Sequence, residues 1–117
     1  MTIKEEMHGR VAVVALVGSL LGEPDTTALR ETVYRLAEHA GASVVLDLGR
    51  LKAINSTGLG ALVVALTSIR KRGGSLRLAR LTDKTHALMV MTHLIKVFRV
   101  YDTVERAVAG SKRGSAE

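Results

Sequence analysis

The chain has 117 residues, 47% of them hydrophobic, which suits one domain with a real core and is too short for two ordinary domains. Lys plus Arg number 17 against 11 acidic residues, a net charge of +6 that brings nucleic acid, a membrane surface and an acidic protein into consideration as partners. Cysteine is absent, which excludes disulfides, thiolate metal sites and cysteine nucleophiles. No apolar run nears the roughly 20 residues that span a bilayer, so a soluble, cytoplasmic protein that does not enter the membrane is expected.

Tyr34, Phe98 and Tyr101 are the aromatic residues, so the core must be aliphatic. Ile3 to His8 reads as a short edge strand, His8-Gly9 as a tight turn, and the β-branched run Val11 to Val17 as a strand. Gly18 to Pro24 reads as a loop, with Asp25 or Thr26 capping the helix that follows. Leu29, Val33, Leu36, Ala37 and Ala40 put an apolar stripe on that helix, and Gly41 marks its stop. Val44 to Leu48 is apolar almost throughout, the pattern of a central strand covered on both faces.

Gly49 to Ala53 reads as a loop, and Ile54 returns the chain to the core. Leu59, Leu62, Val63, Leu66 and Ile69 recur at helical spacing until Gly73-Gly74. Ser75 to Leu81 is strand-like. A third helix follows, capped by Asp83 or Thr82, with Leu88, Met91 and Ile95 on one face. Val97 to Val100 is a further short strand, and Asp102 caps a last helix reaching about Ala109. Strands alternating with helices define an α/β fold, a mixed and mostly parallel sheet of about four or five strands with about four helices packed against it.

Chemistry concentrates at Asn55-Ser56-Thr57-Gly58, where an apolar segment hands over to the most regular helical pattern in the chain. Asn, Ser and Thr all cap helices well, so a structural cap accounts for the stretch on spacing alone. The second reading is a phosphate acceptor, because free amides and the positive dipole end of a helix hold a phosphoryl group. A serine nucleophile needs a base and a group that orients it. His8, His39, His86 and His93 sit in no such context and G-x-S-x-G is missing, so no enzyme is expected. Gly58-Leu59-Gly60 is no dinucleotide fingerprint, since Val63 occupies the third glycine position. It reads as small residues that let the first helical turn approach the sheet. The basic stretch Arg70-Lys71-Arg72, with Arg77 and Arg80 behind it, lacks interleaved aromatics and reads as a solvated helix end rather than a phosphate-binding patch.

"VVLDL" on a strand, then "NSTGLGAL" opening a helix, "RKRGGSLRLA", and "LIKVFRVYDTVERAV" near the end closely resemble the STAS domains of bacterial anti-sigma factor antagonists. The resemblance covers about residues 8 to 110 and implies one STAS domain over 1–110 with a flexible polar tail at 111–117. In that family the motif is Asp-Ser-(Ser/Thr)-Gly, and the first hydroxyl, here Ser56, is phosphorylated by a serine kinase that is also the anti-sigma factor. Thr57 is a possible second acceptor. The unphosphorylated antagonist binds the kinase and frees the sigma factor; the phosphorylated form lets go, and a PPM-type phosphatase resets it. Asn55 stands in the Asp position, keeping the cap and removing the carboxylate. "MTHLIKVF" has Thr-His where Thr-Gly is common, a departure expected to affect helix termination.

The resemblance implies a partner surface of Asn55, Thr57, Gly58 and Leu59. The Gly18–Asp25 loop lies beside it, with Glu23 and Asp25 as the nearest acidic groups and with Leu20 or Leu21 open to two readings, an exposed apolar anchor or a partly buried loop leucine. No cofactor, metal or direct nucleic-acid contact is implied; a monomer is expected, with a weak dimer as the alternative. Two other readings stay open: a STAS scaffold or sensory module that is never phosphorylated, and a basic nucleic-acid binder.

Overall fold

In the computed structural model, which describes residues 1–112, the chain forms six strands and four helices. The strands are β1 (Thr2–His8), β2 (Val11–Leu20), β3 (Ser43–Asp47), β4 (Leu51–Ile54), β5 (Ser75–Ala79) and β6 (Arg99–Tyr101). The helices are α1 (Asp25–Leu36), α2 (Ser56–Lys71), α3 (Asp83–Met91) and α4 (Val104–Lys112), with a 3₁₀ turn at Leu94–Lys96. The sheet runs β1-β2-β3-β5-β6. β1 is antiparallel to β2, the others are parallel, and β4 extends the sheet by pairing with the far end of β2. No helix among the described residues is long and apolar enough to cross a membrane.

The unbroken apolar run of β2 follows from cover on both faces. Ala12, Val14, Leu16 and Leu20 join Val44, Leu46, Leu76 and Leu78 in a core closed by Leu29 and Val33 of α1 and by Leu59, Leu62, Leu66 and Ile69 of α2. The alternate residues Val11, Val13, Val45 and Ala79 form a smaller cluster with Ala107 and Val108 of α4. Side chains alternate faces along a strand, so two core layers demand an apolar residue at nearly every position.

Several local expectations change. β4 replaces the loop expected at Gly49 to Ala53. It is four residues long and exists only through its pairing Gly18↔Leu51, Ser19↔Ala53, Leu20↔Ile54, a contact too distant in sequence to mark a local pattern. By the same pairing β2 runs three residues past Val17. In α1 neither Asp25 nor Thr26 caps; Pro24 occupies the cap position with no side-chain bond. Ala40 lies beyond the end of α1, exposed. In α3, Thr82 is the cap, but the buried side chains are Thr85 and Met89, while Met91 is 76% exposed. Leu88 and Ile95 pack against the core only partly buried, and Met91 faces away from it. Thr103 rather than Asp102 caps α4, its hydroxyl accepting the Arg106 amide at 3.1 Å. α4 continues past Ala109 because Gly110 and Ser111 are buried, the Ser111 hydroxyl donating to the Ala107 carbonyl at 2.9 Å. The rest of the expected tail, 113–117, lies outside the described residues.

The basic stretch also divides. Arg77 is 2% exposed within the sheet, and Arg80 pairs with Asp47, Nε to Oδ1 3.2 Å. Only Arg70, Lys71 and Arg72 remain together on the surface. Asp47 Oδ1 also accepts the Gly49 amide at 3.0 Å, holding the turn from β3 into β4, and a Cβ on Gly49 would sit 2.1 Å from the Arg80 guanidinium. That turn aims β4 at the start of α2.

His93, the Thr-His departure, ends α3 in the left-handed region at φ +62°. A side chain there is disfavoured and a glycine is not, so His93→Gly is expected to stabilise the protein by about 1 kcal/mol. A raised urea midpoint with unchanged slope checks it; a drop would mean the imidazole makes contacts that outweigh the backbone cost.

Candidate functional site

β2 and β4 end side by side and the chain enters α2 at Asn55. Asn55 is extended at φ −122°, ψ −173°, and its Oδ1 accepts the Gly58 amide at 2.9 Å. Its Nδ2 donates to the Leu21 carbonyl at 3.0 Å. One side chain thus caps α2 and ties the β2–α1 loop to it. An aspartate could cap but has no proton for the Leu21 carbonyl, which gives the asparagine a physical reason to be here.

Ser56 and Thr57 follow, both exposed. They are the first residues of α2, so their amides have no acceptor within the helix and point outward with the positive dipole end. The next two residues turn inward. Gly58 is buried, and a Cβ on it would lie 2.2 Å from the Leu20 carbonyl oxygen and 2.8 Å from Ile54 Cγ1. Gly60 has nothing within 4 Å of its Cβ position, so the close approach of helix and sheet rests on the first glycine alone.

The predicted surface residues separate accordingly. Asn55, Ser56, Thr57 and Glu23 are exposed, Leu21 is 48% exposed and Asp25 is half-buried. Leu20 and Leu59 do not belong to that surface. They are 0% and 1% exposed, because the inward alternation of β2 and the core-facing stripe of α2 carry both into the main cluster. Gly58 contributes to the surface by letting the loop come close. Leu21 is left as the apolar residue of the patch.

Glu23 has a role that sequence reasoning missed. Its carboxylate accepts both the Thr26 and Thr27 hydroxyls at 2.6 Å and the Thr27 amide at 2.8 Å, and Arg30 lies 3.6 Å away. It therefore does for α1 what a cap residue does. The local signal was a glutamate set three and four positions ahead of two threonines. Hydrogen bonds from Thr26, then from Thr27, with the Arg30 charge, lower the carboxyl from its ordinary 4.5 to about 2. The native state binds fewer protons than the unfolded chain in that interval. The contribution is complete above about pH 4.5 and is lost as pH falls toward about 2. An NMR titration of the Glu23 carboxyl is expected to have its midpoint near 2, with the Thr27 amide shifting in step; a midpoint near 4.5 would mean these bonds do not persist in solution.

A groove of about 830 Å³ lies at the opposite end of the sheet, between the Gly9-Arg10 turn and Gly41–Ser43.

A mixed six-stranded sheet, with α1, α2 and α3 contributing to one core layer and α4 to the other, and a capped helix start that displays hydroxyls define a small α/β domain. The chain belongs to the STAS domain family, which it matches over residues 2–107. It is similar to the anti-sigma F factor antagonist of Paenibacillus polymyxa, 26% identical over 106 residues that cover 91% of each chain. Its fold is that of an anti-sigma factor antagonist from Mycobacterium paratuberculosis, with a TM-score of 0.82 at 23% identity over 95% of this chain and 93% of that one. It also resembles the phosphorylated form of the Bacillus cell fate determinant SpoIIAA, with a TM-score of 0.71 at 19% identity over 92% of this chain and 97% of that one.

Proposed function

We propose that this chain is an anti-sigma factor antagonist working as a phosphorylation-controlled binding module. Unphosphorylated, it binds an anti-sigma factor that is also a serine kinase; phosphorylated on Ser56, it releases that partner, and a PPM-type phosphatase restores the first state. The observation that carries the reading is the placement of Ser56. Its hydroxyl is exposed at the first position of α2, beside outward amides that accept a dianion. Asn55 meanwhile holds the loop bearing Leu21 and Glu23 against the same spot. A phosphate there adds about two negative charges at the centre of the contact surface, next to a glutamate that stays ionised at neutral pH. The names of the relatives support the choice of partner. The asparagine at position 55 leaves the acceptor in place, and its bond to the Leu21 carbonyl accounts for it without loss of the switch.

Incubation with the cognate kinase and ATP, followed by peptide mass spectrometry, tests the reading. Phosphate is expected on Ser56, and Ser56→Ala is expected to abolish it. Modification confined to another residue, or none in the presence of a partner kinase that forms a complex with the chain, would overturn the switch.

A further inference from the structure

We propose that β1 is a homodimerisation edge, which pairs antiparallel with β1 of a second copy about a two-fold axis through Glu5. β1 is the end strand of the sheet. It pairs with β2 along one side over seven residues, and among the described residues no strand covers its other side. An edge of this length normally carries charges that deter pairing, and the centre of β1 reads Lys4-Glu5-Glu6. The order of those charges makes the deterrent selective.

The register with β2 sets the faces. Lys4, Glu6 and His8 lie opposite Ala15, Val13 and Val11, on the α4 side; Ile3, Glu5 and Met7 lie opposite Leu16, Val14 and Ala12, on the α1 side. A two-fold axis normal to the sheet keeps each face with its like, so odd residues meet odd and even meet even. With the axis at Glu5, Lys4 faces Glu6 of the second copy and Glu6 faces its Lys4. Ile3 faces Met7 and Met7 faces Ile3 in the same way. The neighbouring registers fail. An axis at Lys4 opposes two lysines and sets Ile3 against Glu5, and an axis at Glu6 opposes two glutamates and sets Glu5 against Met7. Like charges directly opposite each other disfavour pairing, whereas opposite charges and apolar pairs favour it.

Two further observations fit the Glu5 axis. The one like-charge meeting it creates, Glu5 with Glu5, is neutralised within each copy by the ion pair of Glu5 with Arg35 of α1. Met7 is 61% exposed, and this pairing covers it. Lys4 has no ion-pair partner among the described residues and gains one. Reversal of strand direction across the axis puts the two Ser56 patches at opposite ends of the joined sheet, so both stay accessible.

An interface of one strand per copy falls below the standard size for stable complexes, so the dimer is expected at micromolar rather than nanomolar concentration. Sedimentation velocity from about 5 μM to about 1 mM, at low salt, tests it with wild type, Lys4→Glu, Glu6→Lys and the double swap. Wild type is expected to show concentration-dependent dimer. Each single swap makes two like-charge pairs and is expected to raise Kd by about tenfold or more, and the double swap restores both ion pairs and returns Kd to within about threefold of wild type. These side chains are exposed, and circular dichroism of each variant confirms the fold. A wild type that is monomeric throughout, a dimer indifferent to the single swaps, or a double swap no better than the singles overturns the proposal.

Discussion

Gly58→Ala is expected to destabilise the protein by about 3 kcal/mol, at the upper end of what one added methyl costs in a packed interior. The new Cβ would meet the Leu20 carbonyl oxygen at 2.2 Å, and backbone cannot rotate away as a side chain does. Relief requires α2 to lift from the end of β2. That would stretch the Asn55 bond to the Leu21 carbonyl and lose the packing of Leu59 beneath it. Chemical denaturation should show a lower midpoint at unchanged slope, and the melting temperature should fall by on the order of 12 °C or more. Gly60→Ala is the matched control two residues on. Its Cβ would meet nothing within 4 Å, so the gain in helix propensity should stabilise by about 0.5–1 kcal/mol. Equal effects at the two glycines would show that α2 does not approach the strand as closely as described.

Ser56→Asp is expected to weaken the complex with the anti-sigma partner by about 100-fold or more, since a charge buried without a partner at an interface costs several kcal/mol. Ser56→Ala is expected to bind within a few-fold of wild type and to take no phosphate. Stability separates the functional effect from misfolding. An acidic residue in the first turn of α2 favours the helix dipole by about 0.3–1 kcal/mol, so the variant that loses the partner should be no less stable than wild type. Titration calorimetry on the purified partner, beside a denaturation curve of each variant, reads both quantities. Equal affinity of wild type and Ser56→Asp would sink the switch, and would favour a STAS scaffold that is never phosphorylated.

Much of this was legible from local patterns. The stripe Leu59, Leu62, Leu66, Ile69 gave α2 its buried face, the apolar run at Val44 to Leu48 gave a central strand, and Asn55-Ser56-Thr57 gave a helix start with exposed hydroxyls. These follow from periodicity and capping, which act over a few residues. Leu20 and Leu21 show the limit. They are adjacent leucines in what read as a loop, yet one is sealed in the core and the other is half exposed. The difference comes from β4, which extends β2 to Leu20 and stops there.

The sequence by itself determined the α/β class, the aliphatic core and the position of the hydroxyl at the head of the longest helix, because each is written in neighbouring residues. Tertiary structure decided what surrounds that hydroxyl. Asn55 reaches a carbonyl 34 residues earlier in the chain, and Gly58 makes room for the strand that delivers it. Such contacts form only when the sheet brings distant segments together, and no local pattern records which partner will arrive.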